Sequence, residues 1–199
     1  MILPRSFYAR PTVEVALDLL GKVLVHRTPA GVASGAIVEV EAYVGEDDPA
    51  CHAASGRTRR NAPLYGAPGH AYVYFTYGLH YLVNAVTERE GFPAAVLIRA
   101  LDPLEGHALM RRRRAAVRGR SAKAVLPDAC LCRGPANVTV ALGIAAAQNT
   151  RPLFRRPLTI EDAGLPIGNV AWGPRIGISK GTDRAWRGWV AGHGSVSRG

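Results

Sequence analysis

Residues 35–44 carry the strictest pattern in the chain. Ala36, Val38, Val40, Ala42 and Val44 alternate there with Glu39, Glu41 and Tyr43. A period of two belongs to a β-strand, whose successive side chains point to opposite faces. The pattern therefore predicts a half-buried strand with one apolar face and a second face bearing two carboxylates and a tyrosine. Glu41 and Tyr43 are two positions apart and project from the same side. An acid beside an exposed aromatic fits a pocket for a flat ring better than it fits a packed core.

The flanking sequence extends the sheet. Residues 22–27, 70–76, 80–86 and 94–101 are strand-like, and Tyr77-Gly78-Leu79 between two of them suits a tight hairpin. Together 72–101 reads as a meander, and short strands are expected at 158–160, 175–179 and 186–190. Val13, Ala16, Leu17 and Leu20 have helical spacing over 12–20, with Pro11 before them and Gly21 after. Pro103-Leu-Glu105 opens a helix expected to run to about Arg118, and 134–148 is a loop leading into another. Residues 45–69 form a polar loop, long enough to suggest function. No period repeats and no linker divides the chain, so one domain over 1–199 is expected.

Charge narrows the partner. Lys and Arg number 25 against 15 for Asp and Glu, a net charge of +10. Such a field attracts a polyanion or an acidic surface. A membrane is the weaker reading, since no apolar run approaches the roughly 20 residues that span a bilayer. The N-terminus, MILPRSFYAR, lacks the apolar stretch of a signal peptide. Three cysteines cannot all pair, which favours a reducing compartment. The expectation is a cytoplasmic protein, nucleoid-associated if its partner is DNA.

Each candidate residue has two readings. Glu41 is either a solvated or arginine-paired strand carboxylate, or a general base that activates water. Tyr43 and Tyr74 are half-buried strand tyrosines or a stacking platform for a base, with Tyr72 on the face of Tyr74. Tyr77 at the hairpin tip, beside Gly78, Leu79 and His80, is an incidental exposed aromatic or a wedge between base pairs. His52 is a lone histidine in a polar loop. Arg57, Arg59 and Arg60 in that loop suit phosphate contacts, whereas Arg111–Arg114 rotate about 100° per residue on a helix and cannot all face one ligand. No CxxC, HExxH or phosphate-binding GxxxxGK[ST] occurs, and Cys130-Leu-Cys132 is too short for a zinc knuckle. Neither a metal nor a nucleotide cofactor is expected.

The order of segments resembles one family. Val38-Glu-Val-Glu-Ala-Tyr43, His52, Tyr72-Val-Tyr74, Tyr77-Gly78, Asn84 and Leu97-Ile-Arg-Ala-Leu-Asp-Pro-Leu-Glu105 resemble the alkyladenine (3-methyladenine) DNA glycosylases of mammals and bacteria. Asp18-Leu-Leu-Gly-Lys-Val-Leu24, Arg60-Asn61, Gly134-Pro135, Leu142-Gly-Ile144 and Arg175-Ile-Gly-Ile178 extend the match almost end to end. The resemblance implies an α+β fold: a single mixed domain with a curved, largely antiparallel sheet flanked by helices, needing no metal or cofactor. It implies a monofunctional base-excision enzyme that hydrolyses the N-glycosidic bond of alkylated or deaminated purines in double-stranded DNA, and we expect a monomer. Glu41 matches the water-activating residue and Arg99 an arginine near the catalytic centre. Tyr43 and Tyr74 match the aromatics that sandwich a flipped base, with His52 and Asn84 in the same pocket; Asn84 matches the residue that disfavours the 2-amino group of guanine. Tyr77 matches the side chain that fills the gap in the duplex, with Leu79, His80, Thr58 and Arg60 at the DNA.

Three stretches depart from the family. Leu79-His80 replaces a bulkier pair, Gly134-Pro-Ala-Asn-Val138 lacks the usual lysine, and Arg187-Gly188-Trp189 stands for Arg-Phe-aromatic. Two other classes also account for some of the residues. A non-catalytic module that stacks bases explains the charge and the tyrosines and leaves Glu41 unexplained. A formyltransferase-like RNA-binding domain shares the topology only. A zinc deaminase lacks its HxE and PCxxC elements.

Overall fold

Strand β2 (Gly31–Val44) is the spine of the sheet. A computed structural model describes residues 1–76, 78–118 and 126–197, so the predicted wedge Tyr77 lies outside the described residues. β2 begins earlier than the alternation suggests because its first part pairs antiparallel with β1 (Val23–Thr28), closing a hairpin at Thr28 and Gly31. Its later part pairs with β5 (Ala94–Glu105) on one side and β9 (Arg187–Val190) on the other. The remaining strands are β3 (Ala71–Thr76), β4 (His80–Val86), β6 (Phe154–Arg155), β7 (Leu158–Glu161) and β8 (Val170–Gly173). Every strand pairing is antiparallel, in the order β3-β4-β5-β2-β1-β7-β6, with β9 joining β2 to β8. Helices α1 (Arg5–Tyr8), α2 (Thr12–Leu19), α3 (His107–Arg118) and α4 (Pro135–Leu142) flank the sheet. The fold is the expected α+β single mixed domain on a curled antiparallel sheet.

Alternation sorts the two faces. Val40 and Ala42 of β2, Val73 of β3, Val83 and Ala85 of β4, and Val96 and Ile98 of β5 share the main core with α2 and α4. The opposite parity carries Glu39, Glu41, Tyr72, Tyr74, Asn84, Leu97 and Arg99. α2 buries Thr12, Val15, Ala16 and Leu19, leaving Val13 and Leu17 outward.

One irregularity breaks the predicted alternation. Ile37 pairs with Leu101, Glu39 with Ala100 and Val40 with Ile98, so the register slips at Val38 and slips back at Arg99. A bulge puts two residues of one strand opposite one of its partner. Ile37 consequently enters the main core, and Val38 packs on the other face with Ala100 and Val190. The second face is not solvated either. Glu39 and Glu41 are both wholly buried.

Two predicted elements are corrected. Pro103 does not open a helix; β5 runs on to Glu105, and α3 starts after Gly106, whose φ of 86° makes the turn. Pro103 pairs with Gly35 at a register shift, which is where a sheet tolerates a residue without an N–H. Gly35 is needed there, because a Cβ would lie 2.8 Å from the Asp102 carbonyl oxygen and from the Leu101 Cβ. Gly35→Ala is expected to cost about 1–3 kcal/mol as overpacking, read as a lower urea midpoint; an unchanged midpoint contradicts this account. Residues 175–179 are irregular, and β8 lies earlier at Val170–Gly173. The departure at Gly188 has a packing cause: Trp172 sits directly opposite, and a Cβ at 188 would meet its ring at 3.0 Å.

The arginine run is also largely inward. Arg114 donates to the Leu131 carbonyl (2.6 Å), Arg113 to the Ala141 carbonyl (3.0 Å) and Thr28 (3.2 Å), and Arg111 pairs with Asp128. These three hold α3 to neighbouring segments instead of waiting for phosphates; Arg112 is exposed.

Candidate active site

Strand register lays out the site. Tyr72 pairs with Asn84, Asn84 with Leu97, and Leu97 with Glu41, forming one row across four strands. At about 4.8 Å per strand, the row is roughly 14 Å long. A cavity of about 360 Å³ borders it, within the range of small-molecule sites. Tyr43, Tyr72, Tyr74, Asn84, Leu97 and Arg99 line it from the sheet. Cys51 and His52 line it from the long loop, with Ile176, Gly177 and Ile178 from the later irregular segment.

Glu41 lies immediately behind this lining. Its Oε2 accepts from the Tyr43 hydroxyl at 2.8 Å and faces Arg99 Nη1 at 3.1 Å, while Oε1 accepts the Ile176 N–H at 2.7 Å. All three partners line the cavity; the carboxylate itself is covered by them. Of the two bland readings, the arginine-paired one describes the molecule and the solvated one does not.

Arg99 is held from its far side. Its Nε donates to Glu39 Oε1 at 3.0 Å, and its Nη2 to the Ser197 hydroxyl at 3.3 Å. Glu39 Oε1 also accepts from Arg187 Nε (2.8 Å) and Ser197 Oγ (2.7 Å), and its Oε2 from the Ser197 N–H (2.7 Å). Burial would raise the Glu39 carboxyl, but the Ser197 hydrogen bonds, the Arg99 charge and the Arg187 hydrogen bond outweigh it and hold it below the usual range. Two carboxylates thus face two guanidinium groups in one buried network. Sequence reasoning singled out Glu41 and Arg99 and missed Glu39, Arg187 and Ser197. The signal was present in the alternation, since two acids on one covered strand face require cations.

The aromatic half is equally ordered. Tyr72 and Tyr74 stack with centroids 5.2 Å apart and planes at 29°. The His52 ring meets Tyr74 edge-on at 4.5 Å, and its Nδ1 is 2.9 Å from the Tyr72 hydroxyl. Partial burial and then the Arg60 charge lower the His52 pKa, which favours the neutral ring. Burial pushes Tyr72 up to about 12 and raises Tyr43 further, where Glu41 adds to it. Asn84 donates from Nδ2 to the Tyr72 carbonyl at 3.0 Å, fixing its amide in the cavity wall.

The residues expected at the DNA are not in the cavity. Leu79 is 70% exposed beside the hairpin tip, and His80 begins β4. Arg60 donates to the Phe75 carbonyl at 3.0 Å, tying the long loop to the end of β3. Thr58 and Asn61 bond reciprocally, and Asn61 Nδ2 also reaches the His52 carbonyl at 2.8 Å. Thr58 and Arg60 therefore sit on a braced loop between His52 and the hairpin. Among the described residues, no group of three or more His, Cys, Asp or Glu is placed to hold a metal ion, and no helix is long and apolar enough to cross a membrane.

A chain of charge +10 with tyrosines and a histidine around a small cavity has the makings of a protein that handles single bases of a nucleic acid. Residues 6–194 match the model described as Methylpurine-DNA glycosylase (MPG), and the chain belongs to that family. Relatives bearing the name "Putative 3-methyladenine DNA glycosylase" cover it almost completely. One from Chlorobaculum tepidum is 43% identical over 97% of this chain and 89% of its own length. One from Burkholderia orbicola is 48% identical over 98% and 91%, and one from Methanocella arvoryzae 44% identical over 94% and 90%. The chain is accordingly a hydrolase of the DNA-3-methyladenine glycosylase class, excising alkylated purines in base excision repair, with damaged DNA as its substrate.

Proposed function

We propose that this chain, acting as one monomeric domain over 1–199, extrudes a damaged purine from duplex DNA into the tyrosine-lined cavity and hydrolyses its glycosidic bond with water activated by Glu41. The observation that carries this reading is the placement of Glu41, whose two hydrogen-bond donors and ion-pair partner all line the cavity. On arrival of the purine, the Tyr43 hydroxyl yields Oε2 to the attacking water; catalytic hydrogen bonds commonly rearrange between free and bound states. Water bonds to the anomeric carbon as the carbon–nitrogen bond breaks, its proton passes to Glu41, and the electron pair leaves with the base.

Stacking on Tyr43 and Tyr74 offsets part of the cost of extrusion, at about 1–3 kcal/mol per aromatic contact. N-alkylated purines carry positive charge, which electron-rich rings attract. Departure neutralises that charge, so an aligned water and base matter more than acid catalysis. Deaminated purines such as hypoxanthine belong to the same reading, with Asn84 disfavouring normal guanine. Leu79, His80, Thr58 and Arg60 meet the duplex around the gap, which Tyr77 fills. The setting is the cytoplasm, on nucleoid DNA.

Duplexes bearing one 3-methyladenine or one hypoxanthine test it. The expected result is free base and an alkali-labile abasic site from each, and none from undamaged duplex. Tight binding to lesion DNA without base release would instead favour the base-stacking module.

A further inference from the structure

Glu39 is a wholly buried carboxylate that the chemistry above does not use. Behind it passes the segment that follows β9, whose Val196 packs against the patch of Val38, Ala100 and Val190. Ser195 Oγ donates to Asp102 Oδ1 at 3.3 Å, which fastens this segment to β5. Two residues on, Ser197 meets Glu39 twice. Its N–H donates to Oε2 and its hydroxyl to Oε1, each at 2.7 Å. The same hydroxyl oxygen accepts from Arg99 Nη2 at 3.3 Å, and the Ser197 carbonyl accepts from Arg187 Nη2 at 3.3 Å. One serine therefore touches Glu39 and both of its arginines.

These contacts decide how Arg99 is shared. A guanidinium beside a carboxylate favours a fork of two parallel hydrogen bonds. Arg99 turns the edge carrying Nε and Nη2 toward Glu39, yet only Nε bonds it, at 3.0 Å. Ser197 Oγ intercepts Nη2, and the Ser197 N–H occupies the oxygen that would complete the fork. Arg99 is thus stopped short of Glu39, with its Nη1 left 3.1 Å from Glu41 Oε2. That oxygen is the one that meets the attacking water in the reaction above.

We propose that Ser197 is a positioning residue for base release: by capping Glu39 it keeps Arg99 divided between the two acids, and so holds Glu41 in line with the water. This rests on the reading that Glu41 is the base. Neither Ser197 nor Glu39 lines the cavity, so the serine touches no substrate and acts through Arg99, which does line it. Without the hydroxyl, the Arg99 edge closes on Glu39 and Nη1 draws back from Glu41. The Glu41 carboxylate then pivots on the Tyr43 hydroxyl and the Ile176 N–H.

Single-turnover release of 3-methyladenine from methylated duplex is compared in the wild type, Ser197→Ala and Ser195→Ala, together with affinity for that duplex. A shift of about an ångström can change a rate on the order of a hundredfold; with one of the two rear contacts of Arg99 removed, Ser197→Ala is expected to release base about tenfold more slowly at saturating protein. Its affinity for the duplex should stay at the wild-type value. Ser195→Ala loosens the same segment from β5 and leaves the contacts of Glu39 and Arg99 in place, so it should release base at the wild-type rate. A wild-type rate in Ser197→Ala, a loss that vanishes at saturating protein, or an equal fall in both variants assigns Ser197 to holding the segment down and overturns the proposal. Base release by Glu41→Gln at the wild-type rate overturns the underlying reading instead.

Discussion

Glu41→Gln is expected to keep its affinity for lesion-bearing duplex while releasing base about 10²–10⁴-fold more slowly, the range that general-base groups supply. The amide matches the carboxylate in shape, so Tyr43 and the cavity floor stay in place. It cannot take a proton from water. It also meets a donor conflict: Glu41 faces Arg99 on one oxygen and the Ile176 N–H on the other, and Gln has only one carbonyl oxygen to offer. One donor then loses its acceptor, at about 1–3 kcal/mol for an unsatisfied buried group. Single-turnover kinetics paired with anisotropy binding separate the two effects. Release at the wild-type rate removes Glu41 as the base.

The second large effect is expected from Arg99→Leu. Glu39 then keeps Arg187, Glu41 loses the ion pair it made with Arg99, and the loss should be about 3–5 kcal/mol near neutral pH, as for other broken buried pairs. The pH dependence has a definite sign. In the wild type, Glu39 titrates below its ordinary value, so it contributes stability above that value, and this contribution is lost as pH falls through the folded pKa. Without Arg99, buried Glu39 keeps only Arg187 as a counter-charge, and protonation relieves it. The variant should therefore be weakest at high pH and approach wild type as the medium turns acid. Urea midpoints at several pH values between about 4 and 8 read this directly, using the carboxylate range as guide. A constant offset across that range would mean that Arg99 contributes packing and not charge.

Both predictions depend on features that differ in how far the chain advertises them. Period-two spacing is a property of consecutive residues, and it located β2, the shared side of Glu41 and Tyr43, and the hairpin around Gly78. The order of motifs along the chain points to the repair family by itself. Pro103 misled because proline favours a helix's first turn, and only the paired strand provides the bulge that accepts it. The inward contacts of Arg113 and Arg114 are not legible locally for a similar reason, since the carbonyls that bind them belong to other segments.

What residues 35–44 determined by themselves was a strand with acids and a tyrosine on one side. That follows from backbone stereochemistry acting between near neighbours. Tertiary structure decided that this side would be covered, that bulges at Val38 and Arg99 would bring the arginine between two glutamates, and that Arg187 and Ser197 would complete the network. Those partners lie 148 and 158 positions from Glu39. A buried charge must be neutralised by whatever the fold carries to it, and no local pattern specifies which distant segment arrives.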